Sequence, residues 1–243
     1  MKQRIAFSVF FLFLVCHEGF SQKKDSSYFY PFVSVGYPYT GTGDLNEYYS
    51  SIVDNYRSQG VPIETQVGFG RTLVIGGGVL YNWYRSIRLG VSLGYWYSPA
   101  YSSYEDYGGT LKVNGSINDL DVCLMMQSTV EEVGGFPVEV GIRVGATHSS
   151  VVITQDARFH DFPEENSHSE FSKTCWGPCF EPTVGSRVGF GKLIVSLEGG
   201  YRLASSKLPK NPSQTPGGLG SVSQEFNVSE SGFVVLLSLA TTL

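Results

Sequence analysis

Residues 87–98 read IRLGVSLGYWYS. The odd positions Ile87, Leu89, Val91, Leu93, Tyr95 and Tyr97 are all apolar or aromatic. The even ones, Arg88, Gly90, Ser92, Gly94, Trp96 and Ser98, are small, polar or charged apart from the tryptophan. A period of two is that of a β-strand, whose side chains alternate between faces. One face of this strand suits hydrocarbon and the other does not.

The same alternation recurs along the chain. It is clear at 138–145, where Val138, Val140, Ile142 and Val144 oppose Glu139, Gly141, Arg143 and Gly145, and again from Leu193 to Arg202. Weaker versions occupy 33–40, 68–82, 119–127, 180–190 and 233–243. The connections sort by length. Strands two and three join across 83–86, four and five across 131–137, six and seven across 189–192; the other links are longer and polar. Strict alternation of short and long connections predicts an all-β, eight-stranded, antiparallel, up-and-down transmembrane β-barrel with both termini on the short-turn side. About 10 residues per core segment is the length a tilted strand needs to cross hydrocarbon.

The N-terminus predicts export. Lys2 and Arg4 precede an apolar run from Ile5 to Val15, and Gly19-Phe20-Ser21 offers a cleavage site, so residues 1–21 read as a signal peptide and 22–243 as the barrel domain. Cys16 follows Val15 rather than a small residue, which argues against lipidation. Charged residues make up 16% of the sequence, against roughly 25% in soluble domains, while 29 glycines, 15 tyrosines and 16 phenylalanines suit barrel strands and interfacial aromatics. A net charge of −5 without a basic cluster argues against nucleic-acid binding.

Charges within strands fall on the face assigned inward: Arg88, Asp119, Asp121, Glu139, Arg143, Glu181, Arg187, Glu198 and Arg202. An arginine facing lipid at midplane costs roughly 2–4 kcal/mol, whereas in the lumen such groups can pair. Arg88, Glu139, Arg143, Arg187 and Glu198 are expected in the half nearer the short turns, and Asp119, Asp121, Glu181 and Arg202 higher. Arg71 is the exception, on the lipid parity, and is placed at the outer interface. Eight strands enclose only enough room for side chains, so this set predicts a plugged lumen, with a narrow ion channel as the alternative.

Pattern and topology over nearly the whole mature chain resemble small outer-membrane barrels of the OmpA/OmpX type. The resemblance implies residence in the outer membrane of a diderm bacterium, with outer-membrane lipid as surroundings and both termini periplasmic. Such barrels usually end on Phe or Trp; this one ends on Leu243, after an aliphatic-rich stretch beginning at Phe233.

The loops carry the remaining chemistry. Asp44-Leu45-Asn46-Glu47 reads as a capping box, followed at helical spacing by Tyr48, Tyr49, Ile52, Val53 and Tyr56, which predicts a helix over 45–59 at the barrel mouth, stopped by Gly60. Cys175 and Cys179 are a disulfide candidate if Trp176-Gly177-Pro178 turns, leaving Cys123 free in the lumen. His160 and His168, among Asp161, Glu164, Glu165 and Glu170, form a loose group of metal-ligand types whose spacing is that of a solvated loop. His148 and Ser150 lie on the lipid parity near a strand end. They are similar to the H-x-S pair of the outer-membrane lipid A deacylases, which would make Glu164 or Glu165 the orienting acid; the Asn-Ala-Gly run that follows in that family is here Val151-Val152-Ile153. The reading is a barrel without cofactor that serves envelope structure, adhesion or binding of an external protein or envelope-assembly partner. A lipid hydrolase using His148 and Ser150 is the alternative.

Overall fold

The structure is a computed structural model and describes residues 29–41, 44–70, 73–84, 86–133, 136–207, 227–228 and 231–241. The expected signal peptide, Arg71 and Leu243 lie outside the described residues. In chain order the strands are β1 (Phe29–Gly36), β2 (Tyr39–Gly41), β3 (Glu64–Val67), β4 (Leu73–Tyr84), β5 (Ile87–Asp106), β6 (Gly109–Val133), β7 (Phe136–Phe159), β8 (Ser167–Phe190), β9 (Leu193–Ala204), β10 (Ser206–Lys207), β11 (Asn227–Val228) and β12 (Ser231–Thr241). Helix α1 (Asp44–Ser58) follows β2, and a 3₁₀ turn (Pro163–Glu165) precedes β8.

Among the described residues eight strands close a ring in the order β1-β4-β5-β6-β7-β8-β9-β12, every pair antiparallel. The seam pairs the two ends of the chain, from Phe32 opposite Ala240 to Gly36 opposite Leu236, so the barrel has no free edge over its lower half. The short β2 and β3 pair with the upper parts of β12 and β5.

Four consecutive strands are far longer than a membrane requires. β5 has 20 residues, β6 has 25, and β7 and β8 have 24 each. The links after β5 and β7, expected to be long loops, are therefore the upper parts of paired strands. β5 and β6 remain in register up to Asp106 opposite Gly109, with only Tyr107 and Gly108 between them. His168 and Glu170, expected in a loop, lie in β8.

The reason is a change of polarity partway along the tall strands, clearest in β6. In β6 the inward residues are Leu111, Val113 and Ile117 above, then Asp119, Asp121 and Cys123 below, all buried. The outward residues reverse this: Lys112, Asn114, Ser116 and Asn118 above, then Leu120, Val122 and Leu124. The wall is thus apolar outside and polar inside where it meets lipid, and apolar inside and polar outside where it meets water. β7 and β8 switch at the paired neighbours of that point, so one boundary crosses adjacent strands through Leu120, His148 and Trp176.

Below the boundary the exterior is an apolar belt that includes Val91, Leu93, Val144, Val184, Leu197, Val235 and Leu237, all exposed. From Ile87 to Tyr97 the belt follows about 33 Å of strand, or roughly 25 Å of height at the usual barrel tilt. Exposed aromatics border both rims: Phe29, Tyr81, Trp83, Tyr84 and Phe190 at the short-turn end, Tyr39, Tyr95, Tyr97, Trp176 and Phe233 at the other. This is a transmembrane barrel. Among the described residues no helix is long and apolar enough to cross a membrane.

Helix α1, expected over 45–59, forms one residue earlier, from Asp44. Its apolar stripe of Leu45, Tyr49, Ile52 and Val53 is fully buried against the inward face of the tall strands, among Leu111, Val113, Ile117, Val151 and Ile153. Phe69 completes this packing by filling the space above Gly115, where a Cβ would come within 2.5 Å of the ring.

Candidate functional site

The lumen below the boundary is a stack of ion pairs, placed there because each charge has the inward parity of its strand. At the bottom Arg88 and Arg187 share Glu139. Arg88 forms a tight ion pair through Nη2, and Arg187 Nε lies 2.8 Å from the same oxygen. One level up, Arg143 bridges Glu181 through Nη1 and Glu198 through Nη2, the latter at 2.6 Å. Gln127 Nε2 donates to the other Glu198 oxygen at 3.0 Å. At the top Arg202 Nη2 contacts Asp121 (2.8 Å), Asp119 (3.4 Å) and Thr147 Oγ1 (3.2 Å), and its guanidinium lies 4.2 Å from the centre of the Trp96 ring.

The structure thus brings all nine lumenal charges into three sets of three. Four arginines face five carboxylates. Glu181, expected with the upper set, belongs to the middle one because it is the direct cross-strand neighbour of Arg143.

Two of the spaces between these sets are small. One cavity of about 20 Å³ lies beside Arg88, Gln127, Glu139 and Glu198, and another of about 40 Å³ beside Trp96, Asp121, Cys123 and Arg143. Each holds a water or two rather than a solute. Arg88 Nε and Ser238 Oγ are buried without a protein partner, which gives such waters something to bind. Tyr30, Phe32, Leu80 and Met125 form an apolar cluster beside the first cavity, and the buried side chains of α1 cover the mouth.

The cysteines depart from expectation. Cys175 and Cys179 both lie within the uninterrupted β8 strand, and all three described cysteines are free thiols. Trp176-Gly177-Pro178 does not turn, because each residue is paired with β7. Four residues of extended chain separate the pair by about 13 Å, too far for a bridge. Cys179 instead meets Cys123, Sγ to Sγ at 3.2 Å, across Gly145 of the strand between them. Sequence spacing contained no signal for this contact, since the two residues become neighbours only through the register of three strands.

His148 and Ser150 face outward at the polarity boundary, as the first polar outward residues above the belt of β7. The His148 ring packs on Trp176, centroids 4.7 Å apart, and among the described residues no hydrogen bond joins it to Ser150. Glu164 and Glu165 are exposed in the 3₁₀ turn beyond Ala157 and Ser167, the last paired residues of that hairpin. Nine residues of strand, about 30 Å, separate His148 from Ala157, so neither glutamate can orient the imidazole. The position of the pair is accounted for by the water boundary, and the dyad is not assembled.

His160 and His168 make separate contacts. His168 Nδ1 contacts Asp156 Oδ1 at 2.6 Å, and His160 Nδ1 contacts the Tyr107 carbonyl oxygen at 3.1 Å. Among the described residues no group of three ligand-type side chains converges on a metal position.

The contacts that sequence reasoning missed are those of the tips. Asp106 accepts from the Gly108 and Gly109 amides at 2.8 and 3.0 Å and from the Tyr104 hydroxyl at 2.8 Å. Those bonds hold its carboxyl below the ordinary carboxylate range, the tyrosine hydroxyl contributing most. The His160 amide donates to the Gly108 carbonyl at 3.1 Å, and the Phe159 amide to Asn166 Oδ1 at 2.7 Å. The Asp-x-Gly-Gly spacing at 106–109 was the available signal for the first of these.

No protein-family model matches the chain, and no curated protein matches it. Among solved structures it is similar to Ail, the attachment invasion locus protein of Yersinia pestis, at 10% identity over 87% of this chain and 97% of that one, with a TM-score of 0.40. The structure of Ail in complex with the heparin analogue sucrose octasulfate gives 10% identity, 88% and 98% coverage and a TM-score of 0.40. The outer membrane protease OmpT from Escherichia coli gives 9% identity, 93% and 99% coverage and a TM-score of 0.31. These are likenesses of fold, and the closed eight-stranded meander rests on the strand register of this chain itself.

Proposed function

We propose that this chain is a non-enzymatic outer-membrane barrel, with a plugged lumen and both termini periplasmic, that holds a rigid platform above the outer leaflet for adhesion or binding of an external partner. The observation that carries this reading is the inversion of polarity along β5–β8. Beyond the belt these strands keep a largely apolar inner face, against which α1 packs, and turn a polar face to water. A protein whose task ended at the membrane would not need that second core. The paired charges, the water-sized cavities and the covered mouth support a lumen that conducts nothing. Short turns such as Gly191, with its left-handed backbone (φ 67°), suit the periplasmic side.

The test is surface labelling of intact cells. A short epitope inserted between Tyr107 and Gly108 is expected to bind antibody without permeabilisation, and the same epitope beside Gly191 only after the outer membrane is opened. The reverse pattern, or labelling of neither site in an outer-membrane fraction, would overturn the reading.

A further inference from the structure

The outermost part of the molecule combines exposed aromatic rings, fixed backbone and a net negative charge. Tyr107 is 94% exposed, Phe162 55% and Phe159 43%, although two of them sit at turns where small polar residues are usual. They lie at the joined tips of the β5–β6 and β7–β8 hairpins, about 36 Å of strand beyond His148. Within 104–109 and 157–167 the carboxylates are Glu105, Asp106, Asp161, Glu164 and Glu165, against one arginine, Arg158. The turn amides donate to Asp106 and Asn166, and the His160 amide donates to the Gly108 carbonyl, which holds the two tips as one unit.

We infer that this tip is a docking knob for a cationic polypeptide segment, one carrying lysine or arginine around an apolar side chain. The inference deepens the platform reading above and rests on it. Large rings on a fixed backbone lose little entropy on binding and are the side chains that dominate protein interfaces. The surrounding carboxylates select the partner's charge and speed its encounter. Other occupants fit less well. A second copy would bring the same acidic knob against this one. An anionic polysaccharide would meet five carboxylates. The chain's own membrane lies a long strand segment away.

The test uses the full chain in nanodiscs with a fluorescent synthetic peptide of alternating lysine and leucine blocks, and empty nanodiscs for subtraction. Saturable binding that weakens with salt is expected, with none for the glutamate–leucine counterpart. Y107S/F162S is expected to weaken binding by about tenfold or more, the loss of a hot-spot aromatic. E105Q/E164Q/E165Q should also weaken it and flatten the salt dependence. All five positions are exposed, so a heat-modifiable band unchanged from the parent shows the fold intact. Equal binding by parent and both variants, or equal binding of the anionic peptide, would overturn the knob. If the tip epitope of intact cells is labelled while binding ignores these variants, only this inference fails; if the tip is not labelled, the platform reading fails first.

Discussion

Val113 and Leu124 belong to the same strand and face opposite sides of the barrel wall: Val113 is 0% exposed beneath the helix, and Leu124 is 69% exposed in the apolar belt. One continuous strand therefore has two cores, its own protein core above and the bilayer below. Asn114 and Leu124 share the outward face, so the same substitution should have opposite outcomes. Leu124→Arg is expected to destabilise by about 2–4 kcal/mol in lipid, and Asn114→Arg to be near neutral. Urea unfolding in liposomes measures both, and equal losses would remove the boundary from its assigned place.

Arg202 is 1% exposed and is the only guanidinium touching Asp119 and Asp121 among the ion pairs described. Arg202→Met takes the guanidinium away from two buried carboxylates and should cost about 3–5 kcal/mol. Adding Asp119→Asn and Asp121→Asn should recover part of that loss, because part of the cost lies in the charge of the two carboxylates. No recovery in the triple variant would assign the role of Arg202 to its packing on Trp96 instead.

Gly145 allows its two neighbours to converge. A Cβ there would lie 2.0 Å from the Val122 carbonyl oxygen and 2.7 Å from the Cys123 Cα, both parts of the backbone. Gly145→Val should lower stability by about 3 kcal/mol, at the severe end of overpacking. Gly199→Ala, where the nearest atom is the Val184 oxygen at 3.9 Å, is the matched control and should be near neutral. Comparable midpoints for the two variants would contradict the close approach.

The lid should loosen in alkali. The Tyr49 hydroxyl donates to the Val113 carbonyl at 2.9 Å and lies 2.9 Å from Ser102 Oγ. Burial raises the phenols of Tyr49, Tyr48 and Tyr56 above their ordinary 10.0. The unfolded lid ionises first as pH rises, so its stability is complete below 10 and declines above it. Hydrogen exchange of α1 should accelerate between pH 9 and 11 while the belt strands stay protected. Tyr49→Phe should loosen the lid at neutral pH, by about 0.5–1.5 kcal/mol for the lost hydrogen bond, and lessen the alkaline response.

Much of this was legible in the sequence. The alternation at 87–98 gives β5 below its boundary, and the capping box gives α1 to within a residue. The upper strands were not legible, for a definite reason. At Asn118-Asp119 the apolar residues of β6 pass from odd to even positions, so a single period-two reading sees a strand end and a loop. Cys123 and Cys179 were separable from Cys175 only with the register of β7 in hand. Tyr107, Phe159 and Phe162 were unremarkable because their exposure depends on the hairpins being tall.

The second core also imposes an order of assembly. Among the described residues helix α1 takes most of its cover from the hollow of β5–β8, with Val228 beside it, and in the proposed orientation that hollow exists on the far side of the membrane. The residues of α1 precede those strands in the chain, yet the helix has nothing to fold against until their hairpins have been carried across. Insertion must therefore deliver long polar hairpins first and close the mouth last. A barrel halted midway would display the apolar face of α1, the form most exposed to envelope proteases.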